Sequence, residues 1–189
     1  MFIGSSLTQP LDYSIQERQM ILASLSRDLA QPEYIHTLIN PLPVYGLALG
    51  IIGLIIALAL RSRPAQVTTL LLIFLCAASA WPAAHFGEEG YDRILSVADS
   101  TGGTWLKVHE HRADQLIWFF YLLALLALVA IFVPKKLPRS AMALTLSVLL
   151  FSFVVLGMGG YIAYAGGRIL HREFRNESPP PLPPETNHD

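Results

Sequence analysis

Four long runs of apolar residues divide the chain into spans and connections. An α-helix needs about 20 predominantly apolar residues to cross the hydrocarbon core of a bilayer. The runs cover residues 42–60, 67–84, 116–133 and 141–165, and none has Asp, Glu, Lys, Arg or His in its middle. The pattern predicts an all-α protein, an up-down bundle of four transmembrane helices.

The composition supports the same class and narrows the function. Of 189 residues, 53% are hydrophobic and 14% are charged, whereas soluble domains carry about 25% charged residues. Pumps and ion-coupled transporters place ionisable groups at membrane depth, so the uncharged spans argue against a transporter or channel. A net charge of −1 without a Lys/Arg-rich run argues against a nucleic-acid partner. The single Cys76 excludes an intramolecular disulfide and a Cys-based zinc cluster.

The charges of the connections predict the orientation. The two short connections contain Arg61, Arg63, Lys135, Lys136 and Arg139 and no acidic residue. Positive charge in short loops marks the cytoplasmic side of a membrane protein. We therefore expect a bacterial inner-membrane protein whose long second connection, residues 86–115, and both termini face the periplasm.

The segments outside the spans predict a surface helix and an extended tail. In the N-terminal segment, residues 1–37, the stretch from Ser14 to Glu17 has the form of a capping box, and apolar residues gather on one face after it. This predicts an amphipathic helix on the outer membrane surface, or one packed on the mouth of the bundle. The transmembrane domain covers residues 38–172. Residues 173–189 contain a run of prolines and predict a disordered tail.

Small residues recur at four-residue spacing in two spans. Such faces let helices approach closely in lipid, either within the bundle or against other membrane proteins. A fourth helix that continues past Gly167 would place His171 on its small-residue face, whereas Gly166 and Gly167 could instead end the helix. The small residues are Gly46 and Gly50 in the first span and Gly159, Ala163 and Gly167 in the fourth.

Five histidines fall near the helix ends on the predicted outer side. This sidedness is weak support for a site, because the inner connections are too short to hold many histidines. Helix ends that converge are better support, since their side chains can reach one another. The histidines are His36 before the first span, His85 at the end of the second, His109 and His111 before the third, and His171 after the fourth.

Imidazole and carboxylate groups bind zinc, iron and copper, and neutral imidazole binds haem iron. In a helix His109 and His111 point about 200° apart, so only one can face a shared site. The alternative interpretation is that each histidine lies singly at the headgroup level. The usual metalloprotease, Walker and dinucleotide motifs are absent from the sequence, and residues 101–103 predict a turn rather than a phosphate-binding loop.

Three stretches together resemble a family of uncharacterised bacterial four-helix membrane proteins. Residues 36–46, His-Thr-Leu-Ile-Asn-Pro-Leu-Pro-Val-Tyr-Gly, are similar to an opening motif His-x-x-x-Asn-His-x-Pro-x-x-Gly. Residues 87–113 resemble an acidic segment that closes on His-Glu. Residues 166–174, Gly-Gly-Arg-Ile-Leu-His-Arg-Glu-Phe, are similar to a closing motif Gly-Gly-x-Ile-Arg-His-x-Glu-Ile. The resemblance runs from residue 36 to residue 175.

The resemblance indicates which polar residues of this chain occupy the family's polar positions. It does not indicate what they bind or catalyse, because the family has no settled activity. Pro41 stands where the family has a second histidine, so a site that needed both histidines would be incomplete here. His85 is not one of the family's polar positions. The resemblance implies that those positions are His36, His109, His171 and Glu173, with Asp92 as an acidic counterpart.

These observations predict a membrane protein with a metal or haem site at the outward mouth of the bundle. The cofactor-binding residues would be His36, His109 and His171, with Glu173 or Asp92 as oxygen ligands, and His111 is a further candidate metal ligand. A redox or electron-transfer role would follow if the ligand is haem b or copper, and iron and zinc are further candidate metals. The alternative is a structural or accessory subunit of a membrane complex. No nucleophile or general-base constellation supports an enzyme.

Overall fold

Four helical stretches of this protein are long and apolar enough to cross a membrane. They cover Pro32–Ala59, Arg63–Glu89, Ser100–Lys135 and Pro138–Leu170 in a computed structural model. The structure describes residues 9–182, and the surroundings of side chains from residue 15 onward. Within that range all regular structure is helical, which confirms the prediction of an all-α chain with four long apolar helices.

The long stretches are divided into shorter helices by prolines and local breaks. The first long stretch contains a π-helical turn, Leu42–Gly46. At this turn Pro43 has no amide hydrogen with which to continue a regular α-helix. Short 3₁₀ turns cover Val133–Lys135, Pro138–Ser140 and Arg172–Phe174. The α-helices are α1 (Gln9–Asp28), α2 (Pro32–Ile39), α3 (Leu47–Ala59), α4 (Arg63–Ala78), α5 (Ala80–Glu89), α6 (Tyr91–Val97), α7 (Ser100–Phe132) and α8 (Ala141–Gly166).

Helices α3, α4, α7 and α8 form the bundle, each packed against the next and α8 also against α3. Large apolar side chains remain exposed on its outside, such as Leu49 and Leu150, as expected of helices that face lipid. We call the end with the two short connections the hairpin end. The opposite end, where α2 packs against α5 and where His36 and His109 lie, is the histidine end. The fully buried core includes Leu47, Leu54, Leu70, Ile73, Leu123, Ala127, Val148 and Val155.

One arginine ties three helices together at the hairpin end. Arg63, in the first turn of α4, donates a hydrogen bond of 2.7 Å to the carbonyl of Ala130 on α7. It also donates to the hydroxyl of Thr145 on α8 at 3.2 Å and to the Gln66 side chain at 3.4 Å. Arg63 therefore satisfies buried polar groups of the bundle in addition to carrying one of the predicted inner charges.

The N-terminal helix begins earlier than its sequence signal suggested. Helix α1 already starts at Gln9, so Ser14 lies within the helix and the predicted capping box is wrong. The described side chains of α1 are exposed, including the apolar Met20 and Leu22. Pro32 occupies the first turn of α2, where its missing amide hydrogen costs nothing.

The long second connection is largely helical, which the sequence did not predict. It contains α6 and the first turns of α7, so residues 101–103 are helical and the predicted turn is wrong. Asp99 explains the early start of α7, because its carboxylate accepts a 2.7 Å hydrogen bond from the Gly102 amide and caps the helix.

At the other end of the chain, α8 ends at Gly166. The alternative in which the two glycines end the helix is therefore correct, and His171 does not continue the small-residue face. Arg172–Phe174 forms a 3₁₀ turn within the segment where the sequence predicts a disordered tail. The prolines from residue 183 onward lie outside the described residues.

Candidate histidine site

His36 is held by a hydrogen bond to a neighbouring helix. Its Nδ1 lies 2.7 Å from the carbonyl oxygen of Ala83 on α5. A carbonyl oxygen only accepts, so Nδ1 must carry the proton, and in the neutral ring the lone pair is on Nε2. A Cβ on Gly87 would come within 2.8 Å of Nδ1. The glycine is therefore required for the ring to reach the carbonyl.

His109 is held in the same manner in the other half of the bundle. Its Nδ1 lies 3.0 Å from the carbonyl oxygen of Ile162 on α8. A Cβ on Gly166 would lie 3.1 Å from the His109 ring, tighter than ordinary van der Waals contact. The hydrogen bond again assigns the proton to Nδ1 and leaves Nε2 as the nitrogen able to bind a ligand.

The two rings lie close to each other with their planes nearly perpendicular. The centroids of His36 and His109 lie 6.4 Å apart, and the ring planes cross at 87°. They come from helices α2 and α7, in different hairpins, so only the tertiary fold brings them together.

Two spaces adjoin this histidine pair. One is a narrow chamber of about 70 Å³ with a mostly apolar lining that includes Val44, Ile117 and Phe120. The other is a wide cavity of about 670 Å³. His36 and His109 line both spaces, so the pair lies where the narrow chamber and the wide cavity adjoin.

The wide cavity is acidic. None of its described lining residues is a Lys or Arg, and the carboxylates on its wall are Glu33, Glu88, Glu110 and Asp114. Sequence reasoning did not select Glu33, although its position one turn before His36 on an amphipathic helix was a usable signal. Arg93 lies 3.9 Å from Glu33 and is mostly exposed, which makes this a weak ion pair.

His171 lines the wide cavity but is not part of the histidine pair. Its Nδ1 donates a 2.9 Å hydrogen bond to Glu173, and both side chains are mostly exposed. Hydrogen bonds from its own backbone amide and from His171 hold the pKa of the Glu173 carboxyl below its usual range. The structure thus pairs two predicted site residues with each other, at the rim of the cavity.

The other predicted ligands lie away from the cavity. His111 does not line it, whereas His109 does, as expected for two residues that point in different directions from one helix. Asp92 is exposed in the first turn of α6, and the neighbouring Tyr91 takes the lining position.

His85, which was not a predicted ligand, lines the wide cavity and stacks on Trp81, with ring centroids 5.6 Å apart.

Arg112 is a buried residue of the histidine end that sequence reasoning missed. It donates a 2.8 Å hydrogen bond to the Tyr161 carbonyl and lies over the Tyr161 ring, 3.7 Å from the centroid. Three residues after His109, it fixes α7 against α8. Its role therefore is to hold the register in which His109 reaches its carbonyl.

In the part of the chain that the structure describes, no three His, Cys, Asp or Glu side chains are grouped closely enough to hold a metal ion. None of the family models, curated proteins or solved structures compared with this chain matches it. The family resemblance therefore stays a prediction, and the functional argument depends on the geometry of the histidine pair.

Proposed function

We propose that this chain is an integral protein of a bacterial inner membrane that binds a transition metal, as an ion or as haem iron, through His36 and His109. One observation carries the proposal. Both imidazoles donate Nδ1–H to a backbone carbonyl, and both line the same cavity with Nε2 left to bind a ligand.

The chemistry of the donor set fits such a ligand. Neutral imidazole suits zinc, copper, nickel and iron, whether free or in haem. Metal-binding histidines usually donate their second ring nitrogen to a carbonyl or carboxylate, which fixes the tautomer and orients the ring. Iron or copper bound there would supply one-electron chemistry, and the protein would contribute the ring orientation and the apolar lining of the narrow chamber.

The other predicted ligands are not required for the proposed metal or haem site. His171 reaches the same cavity and, with Glu173, can contribute at its rim. His111 and Asp92 do not line the cavity, so we assign them no direct role. Pro41 lines the wide cavity, which leaves one histidine fewer than the family motif at that wall.

The proposed orientation places the histidine end in the periplasm. Lys135, Lys136 and Arg139 are exposed at the hairpin end, which is the feature that the positive-inside rule assigns to the cytoplasm. A periplasmic site would exchange ligands or electrons with partners outside the cytoplasm.

The proposal is tested by the metal content of the protein. The full chain is purified in mild detergent, its visible spectrum is recorded and its metals are measured by elemental analysis. We expect a haem band or about one metal per chain, lost in His36→Ala and His109→Ala and retained in His111→Ala, because His111 does not line the cavity. Wild-type protein that shows neither signal, even after reconstitution, would overturn the proposal.

A second candidate function is that of an accessory subunit. It is favoured by α1, whose apolar side chains such as Ile15, Met20 and Leu22 are exposed in the isolated chain. This surface fits the lipid headgroup region or another membrane protein. An accessory subunit would purify without colour or metal, together with a larger complex.

A further inference from the structure

The two hairpins of the bundle repeat one arrangement of three groups. In each hairpin, the histidine of the first helical stretch donates to a carbonyl of the returning stretch. The glycine that contacts the histidine ring lies four residues after that carbonyl. The first set is His36, Ala83 and Gly87, and the second is His109, Ile162 and Gly166.

The repeat continues along the walls of the narrow chamber. The lining residues that follow the two histidines recur at four-residue intervals on both incoming stretches. They are His36, Asn40 and Val44 in the first hairpin and His109, Ala113 and Ile117 in the second. The two hairpins therefore present matching positions to one space, and a ligand in it meets two equivalent imidazoles.

Two imidazoles alone do not complete the coordination of a metal ion. Zinc takes four ligands and hard cations take six or more, yet no third His, Cys, Asp or Glu joins a metal-binding group within residues 9–182. The remaining donors of a metal held by this pair would therefore come from water or from a ligand that the metal carries. Haem carries such a ligand, because the four nitrogens of its macrocycle leave two positions on the iron for the protein.

We infer that the ligand shared by His36 and His109 is a haem, with one imidazole on each face. This inference rests on the proposed function, which it narrows from any transition metal to one cofactor class. Two imidazoles on opposite sides of one iron, with metal–nitrogen bonds of about 2 Å, have centroids roughly 6–7 Å apart. The observed separation of 6.4 Å lies in this range.

The walls around the pair leave room for a flat ligand. Ala84 and Ala113 line both the chamber and the wide cavity, and Gly87 and Gly166 stand against the two rings. The wide cavity of about 670 Å³ adjoins them. Small side chains on both hairpins therefore border the space that a macrocycle between the two rings would occupy.

The acidic wall of the wide cavity should affect the binding of haem and of a metal cation in opposite directions. The carboxylates of haem would be repelled by Glu110 and its acidic neighbours, whereas a metal ion would be attracted. Neutralising the wall with Glu110→Gln should therefore tighten the binding of haem by about twofold to tenfold and weaken the binding of Cu²⁺ or Zn²⁺.

The inference is tested with full-length protein in detergent, stripped of any bound metal. It is titrated separately with haemin and with Cu²⁺ and Zn²⁺, and binding is followed by visible spectroscopy and elemental analysis. We expect one haem per chain with a six-coordinate, low-spin spectrum. His36→Ala and His109→Ala should each give a five-coordinate spectrum, restored by added imidazole, while His111→Ala, which removes a histidine that lines neither space, keeps the wild-type spectrum.

The outcomes separate this inference from the proposed function. If Cu²⁺ or Zn²⁺ binds through His36 and haemin does not, the haem assignment is overturned and the metal site stands. If neither haemin nor the ions bind, both are overturned. If haem binds but only one of the two histidines affects its spectrum, the equivalence of the hairpins is overturned. Far-ultraviolet circular dichroism of each variant checks that it is folded.

Discussion

The guanidinium of Arg175 donates two hydrogen bonds to the carboxylate of Asp99, at 2.7 and 2.9 Å. Arg175 also donates to the backbone carbonyls of Arg168 and Ile169, and its side chain is only 9% exposed. This contact fastens the chain after α8 to the start of α7. It thereby places the segment that carries His171 beside the wide cavity.

This contact should weaken in acid. Hydrogen bonds from the Gly102 amide and from Arg175 hold the pKa of the Asp99 carboxyl below its usual range. A carboxyl with a depressed pKa in the folded state stabilises that state above its unfolded pKa of about 4, and this contribution is lost as the pH falls through the folded pKa. We expect the hydrogen-exchange protection factors of residues 168–175, which correct for the intrinsic pH dependence of exchange, to fall below about pH 4.

Two variants provide the comparison for the acid effect. Asp99→Asn should show low protection factors at every pH, because the charged partner of Arg175 is gone. Arg172→Ala should behave almost as wild type, since Arg172 contacts Asp99 from a mostly exposed position. Equal exchange in wild type and Asp99→Asn at neutral pH would show that the contact does not hold the segment.

The glycines against the imidazoles should control ligand affinity. In Gly87→Ala the new methyl group would meet His36 Nδ1 at 2.8 Å, so the ring must leave the Ala83 carbonyl. Loss of such a supporting hydrogen bond costs about 10- to 100-fold in metal affinity. We expect a similar loss in Gly166→Ala, measured by titration with the ligand identified in the wild type.

Gly160→Ala is the matched control, because a Cβ there meets no atom within 4 Å. Its ligand affinity should equal that of the wild type. Unchanged affinity in Gly87→Ala and Gly166→Ala would mean that the carbonyl contacts do not prepare the histidines for binding.

The arginine at the hairpin end should contribute to stability through its hydrogen bonds rather than its charge. Arg63→Lys keeps the positive charge on which the proposed orientation depends, but an ammonium cannot reproduce the bonds to Ala130 and Thr145 together. We expect a loss of about 2 kcal/mol in the free energy of unfolding, measured by denaturant titration in detergent. Arg61→Lys, at an exposed position, should change it by less than about 0.5 kcal/mol.

The orientation of the bundle can be checked by cysteine labelling. Lys136 is exposed at the hairpin end, and the native Cys76 is buried between helices, where burial suppresses its reactivity. In Lys136→Cys, an impermeant thiol reagent should react only after the cells are opened. Labelling of intact cells with a permeable outer membrane would reverse the predicted topology.

The sequence predicted which histidines lie at the histidine end, but it did not predict their hydrogen-bond partners. The placement of His36, His109 and His171 next to helix ends followed from the bounds of the apolar runs. The partners of His36 and His109 did not, because each acceptor is a backbone carbonyl about 50 residues away, and a carbonyl has no signature in the sequence. The same reason hid the roles of Gly87 and Gly166.

By itself, the sequence determined that this chain has four apolar helices with positive residues at the two short connections. These properties are local, since hydrophobic length and loop charge can be read one segment at a time. The tertiary structure alone decided which histidines meet. That choice depends on the rotation and register of α2 and α7, which are set by contacts such as that of Arg112 with Tyr161 and by the π-helical turn before α3.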